Sequence, residues 1–234
     1  MSKRWFAGSM TAFAAVLLAL SAGATGVGGA PPAFLINGAP VDLSSSCATP
    51  EGVEVCSGSA SGETFQVPQF QLAANPDPFV SLALAVLNPT SSDQTYTFTA
   101  VAPVAPVGPG LQLNGSFGGS LTDVDGNGAT LVDATGAPLY VALIDGAPVR
   151  SLLDPPQSFT TTTTVDLGPA AFGPEVFAGS VTSFIAIQVQ FTLSPGDAAS
   201  FTSVFNAVPV PEPGTLMLLA SGVGGIAAWG RRRA

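Results

Sequence analysis

Oxygen-bearing side chains alternate along residues 123–128, whose sequence is DVDGNG. Asp123, Asp125 and Asn127 present side-chain oxygens at every second position, and Ca²⁺ prefers oxygen ligands that converge from a flexible turn. The intervening glycines permit the sharp bend that such a loop needs. With Asp133 as a further ligand, the sequence predicts a weak Ca²⁺ site. Calcium is the one cofactor that the sequence suggests.

The loop resembles the first half of an EF-hand calcium loop, D-x-D-x-N-G, and departs from it in the second half. If Asp123 is position one, the bidentate acid expected at position twelve falls on Ala134, and Asp133 is one place early. The flanking residues have strand patterns, whereas an EF-hand has helices. A plain β turn between two strands is therefore the alternative interpretation.

Few residues are suited to catalysis. The chain contains no histidine, so neither a Ser-His-Asp nor a Cys-His arrangement can form. A pair of carboxylates, as in glycoside hydrolases, stays a remote alternative because its two members come from distant strands and have no fixed spacing. We expect Arg150, the only basic residue between residues 25 and 208, to form an ion pair within the fold. The sequence predicts that the protein is not an enzyme.

Cys47 and Cys56 are the only cysteines, and a turn-forming Pro-Glu-Gly sequence at 50–52 lies between them. In an oxidising compartment we expect them to form a disulfide, which would stabilise the fold by about 2–3 kcal/mol through its effect on the unfolded chain. A zinc site with Cys and His ligands is excluded, because there is neither a second cysteine pair nor a histidine.

The elements that must position these residues have the pattern of strands. Residues 185–193 alternate apolar and polar side chains with a period of two. We expect this segment to form a hairpin with 199–205, and 79–87 to form another with 94–101. Between the two ends of the chain no segment has a helical apolar stripe. The prediction is an all-β fold, a single β-sandwich, for which a jelly roll is one fitting topology.

A short near-repeat predicts two tight turns. Residues 35–41, LINGAPV, recur at 143–149 as LIDGAPV. Asn-Gly and Asp-Gly pairs favour two-residue hairpin turns, because both central positions need a positive φ. We therefore expect hairpins at Asn37-Gly38 and at Asp145-Gly146.

The region between the two ends is strongly acidic. Residues 25–208 contain one basic and 14 acidic side chains, which gives a formal net charge of −13. Such a surface repels phosphate backbones and anionic lipid, so nucleic acid is not an expected partner. Divalent cations are the partners that this charge favours.

The N-terminal end has the features of a secretory signal peptide. Lys3 and Arg4 precede an apolar run at 5–20, and residues 22–24 have the small-residue sequence AGA. This order indicates export, with cleavage after Ala24. Residues 1–24 are therefore expected to be absent from the mature protein.

The C-terminal end has three parts: Pro211-Glu212-Pro213, an uncharged apolar segment at 214–229, and the basic cluster Arg231, Arg232 and Arg233. As a helix, the apolar segment would span roughly 24 Å, slightly less than a hydrocarbon core of about 30 Å. We expect a short transmembrane helix that contacts the membrane before processing. The arginines would stay on the cytoplasmic side and act as a membrane stop.

These three parts resemble the PEP-CTERM sorting signal of Gram-negative bacteria, and residues 211–215, PEPGT, match its motif. The resemblance covers residues 209–234 only. It implies recognition by an exosortase, a membrane-embedded cysteine transpeptidase. It also implies removal of the tail and delivery to the cell surface or the extracellular matrix.

The expected organisation is a signal peptide at 1–24, a secreted β-sandwich at 25–208 and a sorting signal at 209–234. The leading prediction is a structural or interaction protein of the cell surface or exopolysaccharide (biofilm) matrix, with exopolysaccharide as a further partner. A carbohydrate- or calcium-binding surface module is the alternative.

Overall fold

Two antiparallel β-sheets pack face to face in the computed structural model, which describes residues 30–43 and 46–210. The predicted all-β fold, a single β-sandwich, is confirmed. A 3₁₀ turn at Pro50–Gly52 interrupts the strands. The strands, numbered in chain order, are β1 Ala33–Ile36, β2 Ala39–Pro40, β3 Cys47–Ala48, β4 Glu54–Ser61, β5 Gln66–Asn75, β6 Phe79–Leu87, β7 Gln94–Pro103, β8 Leu111–Thr122, β9 Ala129–Asp133, β10 Tyr140–Ile144, β11 Ala147–Leu152, β12 Ser158–Thr161, β13 Thr164–Asp166, β14 Ala170–Phe177, β15 Phe184–Leu193 and β16 Ala198–Pro209.

The strand order places the longest strands at the centre of each sheet. In sheet A the order is β11-β10-β15-β7-β1-β2, and β9 pairs with both β15 and β12. In sheet B the order is β13-β8-β16-β6-β5-β4-β3, and β14 extends the β8 edge beside β13. Strand β16 is paired on both sides, with β8 over its whole length and with β6 as far as Asn206.

The core lies between the sheets and is rich in aromatic rings. Alternate residues of each strand point inward, as a half-buried strand requires. Phe191 of sheet A and Phe201 of sheet B pack with ring centroids 4.8 Å apart. Offset or tilted ring contacts of this kind stabilise a core beyond simple burial. Further buried aromatic side chains of this core are Phe34, Phe70, Tyr96, Phe98, Phe117, Tyr140 and Phe205.

The two expected long hairpins are wrong. Strands β6 and β7 are consecutive but belong to different sheets, and so are β15 and β16. Strand β6 pairs with β5 and β16, whereas β15 pairs with β7, β9 and β10. Two strands that each have an alternating apolar face can be hydrogen-bonded neighbours in one sheet, or they can face each other across a sandwich. Alternation of apolar residues does not distinguish these two arrangements. Here each connection crosses from one sheet to the other.

One buried side chain joins these two crossing connections. Asn88 is fully buried, and its Nδ2 lies 3.0 Å from the carbonyl oxygen of Leu193 and 3.1 Å from that of Ser194. Its backbone N–H donates to the Asp197 carbonyl at 2.9 Å, and its own carbonyl accepts from Gly196 at 2.9 Å. Asn88 therefore fixes the β6–β7 connection against the β15–β16 connection.

Both turns of the near-repeat form the expected hairpins. Asn37 and Gly38 have φ angles of 52° and 80° between β1 and β2. Asp145 and Gly146 have φ angles of 49° and 81° between β10 and β11. Two successive positive φ values are the geometry that Asn-Gly and Asp-Gly favour in tight hairpins.

Two predicted covalent and ionic contacts are also present. Cys47 and Cys56 form a disulfide between directly paired positions of β3 and β4. Arg150 of β11 donates from Nε to the Glu175 carboxylate of β14. Because β11 lies at the edge of sheet A and β14 at the edge of sheet B, this ion pair joins the two sheets along one side.

The expected signal peptide at 1–24, the apolar helix at 214–229 and the arginine cluster at 231–233 lie outside the described residues. Within 30–43 and 46–210, no helix has the length and apolar character to cross a membrane.

Candidate functional site

The chain enters the sorting segment from the end of a fixed central strand. Strand β16 ends at Pro209, which pairs with Leu111 of β8. The N–H of the next residue, Val210, donates to the Gly110 carbonyl at 2.9 Å. The tripeptide Pro211-Glu212-Pro213 follows immediately in the sequence, and it lies beyond the described residues. Little free chain therefore separates the folded domain from this tripeptide.

Three carboxylates meet at the opposite end of β16. Oxygens of Asp123, Asp125 and Asp197 lie within 4.8 Å of one another. The first two belong to the β8–β9 loop, and Asp197 belongs to the β15–β16 connection. Asp197 is fully buried. Charges of the same sign at this spacing repel, and a divalent cation would offset that repulsion.

The same oxygens already accept hydrogen bonds from the protein. Asp123 accepts the N–H groups of Gly126 at 2.8 Å and Gly128 at 3.0 Å, which closes the loop. Asp197 accepts the hydroxyl of Ser194 at 2.5 Å and the N–H of Val124 at 3.3 Å. The loop is thus a hydrogen-bonded turn in its own right, and calcium binding by the cluster stays a prediction.

Sequence spacing found only part of this cluster. Asn127 lies beside Asp125, and its amide Nδ2 donates to Oδ2 of that residue at 2.6 Å. Asp133 lies elsewhere, at the far end of β9, where it accepts the N–H groups of Gly136 and Gln157, each at 2.8 Å. A five-residue strand spans about 15 Å, so Asp133 cannot share a ligand position with residues 123–127.

Asp197 is the member that the sequence did not reveal. It follows Ser-Pro-Gly at 194–196, a sequence typical of an exposed turn. Its burial results from the crossing of the two sheets at Asn88, which no local pattern encodes. Gly196 is also constrained here, because a Cβ at this position would lie 2.4 Å from Oδ2 of Asp125.

The outer face of sheet B forms an open groove of about 730 Å³. Its floor consists of small side chains on β6, β16 and β8, and its sides are formed by β5 and β13. Two cross-strand rows line it. One is Gln69, Ala85, Ser200, Ser120 and Asp166, and the other is Gln71, Ala83, Thr202 and Gly118.

Groove polarity comes mainly from neutral groups. The hydroxyls of Ser120 and Ser200 are 2.9 Å apart, and the Gln69 and Gln71 side chains are exposed. Asp166 is the one charged side chain of this lining. Amides and hydroxyls that face a shallow groove can exchange hydrogen bonds with another neutral polar surface.

The two buried tyrosines have structural roles. The hydroxyl of Tyr140 in sheet A donates to the Val204 carbonyl of sheet B at 2.9 Å, and burial raises the pKa of Tyr140. The hydroxyl of Tyr96 donates to the Thr64 carbonyl at 2.6 Å, and burial raises the pKa of Tyr96 to about 12. Both hydroxyls therefore stay protonated at neutral pH and act as hydrogen-bond donors.

Glu54 lies close to the disulfide sulfurs of Cys47 and Cys56. Desolvation by burial raises the pKa of Glu54. Because both sulfurs are oxidised, this group offers no thiolate ligand for a metal.

Two solved structures have a weak likeness to this chain. The enzymatically active domain of tailspike protein 4 of bacteriophage CBA120 is 11% identical, with a TM-score of 0.24, over 75% of this chain and 19% of that chain. A family 11 carbohydrate-binding module from Clostridium thermocellum, in complex with a β-1,3-1,4-mixed-linked tetrasaccharide, is 13% identical, with a TM-score of 0.17, over 77% of this chain and 98% of that chain. This chain thus spans far less than two thirds of the tailspike chain, and neither likeness supports an argument.

Among curated proteins none matches this chain. A family model described as PEP-CTERM protein-sorting motif matches residues 209–233. The match begins at the last residue of β16 and includes the tripeptide, the apolar segment and the arginine cluster. This motif is recognised by an exosortase and directs its carrier out of the cell. The chain therefore carries the PEP-CTERM protein-sorting motif at residues 209–233, and this motif implies export to the cell surface or the extracellular space.

Proposed function

We propose that the β-sandwich is a structural or interaction protein of the cell surface or exopolysaccharide matrix, and that it is not an enzyme. The observation that supports this most directly is the sorting motif that follows β16 almost without a linker. Before processing, the apolar segment at 214–229 would hold the chain in the inner membrane. Removal of the tail would then release a compact, strongly acidic domain.

The chemistry of the chain agrees with a non-catalytic role. It has no histidine, and its two cysteines are joined in a disulfide. Arg150, the one basic residue in the described part of the chain, is paired with Glu175. The buried tyrosines are hydrogen-bonded to backbone carbonyls. These groups contribute to the fold, and they leave carboxylates as the remaining acid–base groups.

Fractionation of the native host tests the proposed location. Cells, matrix and medium are separated from a strain that makes exopolysaccharide and from one that does not. We expect the protein in the matrix fraction of the first strain and in the medium of the second. A protein that stays with the cell envelope in both strains would contradict a matrix role.

A second candidate function is binding of a neutral, hydroxyl-rich polysaccharide, and the groove on sheet B favours it. Its lining of glutamine amides and Ser or Thr hydroxyls suits hydrogen bonding to sugar hydroxyls, and the groove is open to solvent. No aromatic side chain points outward from the rows described above, so this binding would depend on hydrogen bonds rather than on ring stacking. We expect it to be weak for a single domain.

A substitution at Gly118 tests the groove. A Cβ added there meets no atom within 4 Å, so we expect Gly118→Leu to fill the groove without disturbing the sheet. Ser116→Leu is the matched control, because Ser116 lies on the same strand and face but outside the groove. In affinity electrophoresis with host exopolysaccharide, we expect retardation of wild type and Ser116→Leu but not of Gly118→Leu. Equal retardation of all three would exclude the groove.

A further inference from the structure

Exposed apolar side chains are concentrated at one corner of the sandwich. The described residues include four exposed large hydrophobic side chains, of which Val176 is 74% exposed, Val208 48% and Val210 41%. The fourth, Val124, lies in the acidic loop. Scattered exposed apolar residues are ordinary on protein surfaces, whereas a group of them indicates a contact surface. We call Val176, Val208 and Val210 the valine corner.

Strand pairing places two of the three valines on one face. Val208 of β16 and Val176 of β14 are both paired with Gln112 of β8. Directly paired residues point to the same side of a sheet, so both valines lie on the outer face of sheet B, about 10 Å apart. Val210 is two residues beyond Val208, and its N–H is bonded to Gly110 at 2.9 Å.

The corner is locally free of unpaired charge on its β14 side. Glu175 precedes Val176, and its carboxylate accepts from Arg150. The rest of the domain is acidic, with a net charge of −13 over residues 25–208. The acidic domain would not be attracted electrostatically to an anionic membrane. The valine corner is apolar and lies next to a neutralised acid, so an apolar protein surface could cover it.

The valine corner adjoins the sorting motif, which is the segment that the sorting enzyme recognises. The sorting motif begins at residue 209, and the tripeptide follows Val210 directly. At about 3.3 Å per residue, all three residues of the tripeptide lie within roughly 10 Å of Val210 along the chain. An enzyme that holds the tripeptide must come close to the corner.

We propose that the valine corner is a docking surface for the sorting enzyme, so that the enzyme contacts the folded domain as well as the tripeptide. Val176 distinguishes docking on the folded domain from recognition of the tail alone. It precedes the motif by more than 30 residues in the sequence, and only the fold brings it close to the motif. The contact would position the tripeptide and favour domains that have already folded.

Pulse labelling of the full chain in its native host tests the proposal through the rate of tail removal. We expect Val176→Asn to slow removal roughly three- to tenfold, because one apolar contact is lost. Val176→Ile, which keeps the apolar contact, should leave the rate unchanged. Val124→Asn is the matched control at the other end of β8, and it should also process at the wild-type rate. Wild-type processing of Val176→Asn would overturn the proposal.

Photo-crosslinking distinguishes the enzyme from the lipid surface. A photoreactive amino acid is placed at position 176 in one variant and at position 124 in another, both in the full chain. Docking predicts an adduct with the sorting enzyme from position 176 and none from position 124. An adduct with lipid alone, or equal adducts from the two positions, would overturn the proposal. Matrix location is not part of either measurement, so failure here is distinct from failure of the proposed function.

Discussion

Asp145 shows how one carboxylate connects distant parts of the chain. It accepts backbone N–H groups from Thr182 at 2.7 Å, Ser183 at 2.8 Å and Phe184 at 3.1 Å, together with the Ser183 hydroxyl at 2.9 Å. Burial alone would raise the pKa of Asp145, but these donors lower it overall. The β10–β11 turn is thereby fixed to the start of β15.

This geometry predicts a pH-dependent contribution to stability. Because the folded pKa of Asp145 is below its unfolded value, its contribution is complete above about pH 4 and is lost as the pH falls through the folded pKa. Asp145→Asn keeps the turn chemistry seen at Asn37 but removes the charge. We expect it to lower the free energy of unfolding by about 1–2 kcal/mol at pH 7, with a smaller difference from wild type at pH 3.

Denaturant titrations at pH 7 and pH 3 measure this difference. Asp93→Asn, which changes an exposed carboxylate in the β6–β7 connection, is the control for loss of one negative charge. An Asp145→Asn variant that is as stable as the Asp93→Asn control at pH 7 would contradict the role given to these hydrogen bonds.

The carboxylate cluster predicts a response to calcium. If the site has a dissociation constant near 10⁻⁴ M, as in weak extracellular modules, about 10 mM Ca²⁺ would stabilise the fold by about 2.7 kcal/mol, or roughly 5–10 °C in Tm. Asp125→Asn should abolish the shift. Asp133→Asn, which changes a carboxylate outside the cluster, should retain it. A Tm that is the same in Ca²⁺ and in EDTA would leave the loop as a plain turn.

For the strands, the tight turns and the buried face of β15 were predictable from the sequence, but the partner strands were not. The two turns with Asn-Gly and Asp-Gly form as expected, because their positive φ values depend on adjacent residues alone. The alternation of β15 correctly identified its buried face. It could not identify the partner strand, since inward-facing residues look the same whether the next strand lies beside β15 or across the core.

In the candidate sites too, residues that are close in the sequence were predictable, and residues that only the fold brings together were not. Asp123 and Asp125 were found because they are two residues apart in one loop, whereas Asp197 comes from a connection more than 70 residues away. The groove on sheet B was not foreseen, because its rows combine single residues from five strands. The disulfide was predictable because only two cysteines are present.

Asn88 is the residue on which the crossing connections depend, and its replacement should be costly. Asn88→Ala removes the buried amide and leaves the carbonyls of Leu193 and Ser194 without this donor. We expect a loss of about 2–4 kcal/mol in the free energy of unfolding. Asn75→Ala is the control, because Asn75 makes one exposed turn bond, to the Asp77 N–H. Equal urea midpoints for the two variants would contradict the importance of Asn88.

In the whole molecule, the folded domain and the sorting motif meet at Pro209, the last residue of β16. The chain passes directly from β16, which is still paired with β8 at Pro209, into the sorting motif. Nearly all positive charge outside the signal peptide lies in the tail. The precursor has a formal charge of −9, and residues 25–208, without either the tail or the signal peptide, have a formal charge of −13. An enzyme that holds the tripeptide would therefore act close to the folded domain.

Mass spectrometry of the C-terminus, on protein isolated from fractions of the native host, shows directly whether the tail is removed. We expect the surface or extracellular protein to lack Arg231, Arg232 and Arg233 and the apolar segment before them. Replacement of Pro211-Glu212-Pro213 by alanines should leave the tail attached. Mature wild-type protein that retains the arginine cluster in the inner membrane would contradict sorting and would make the tail a permanent anchor.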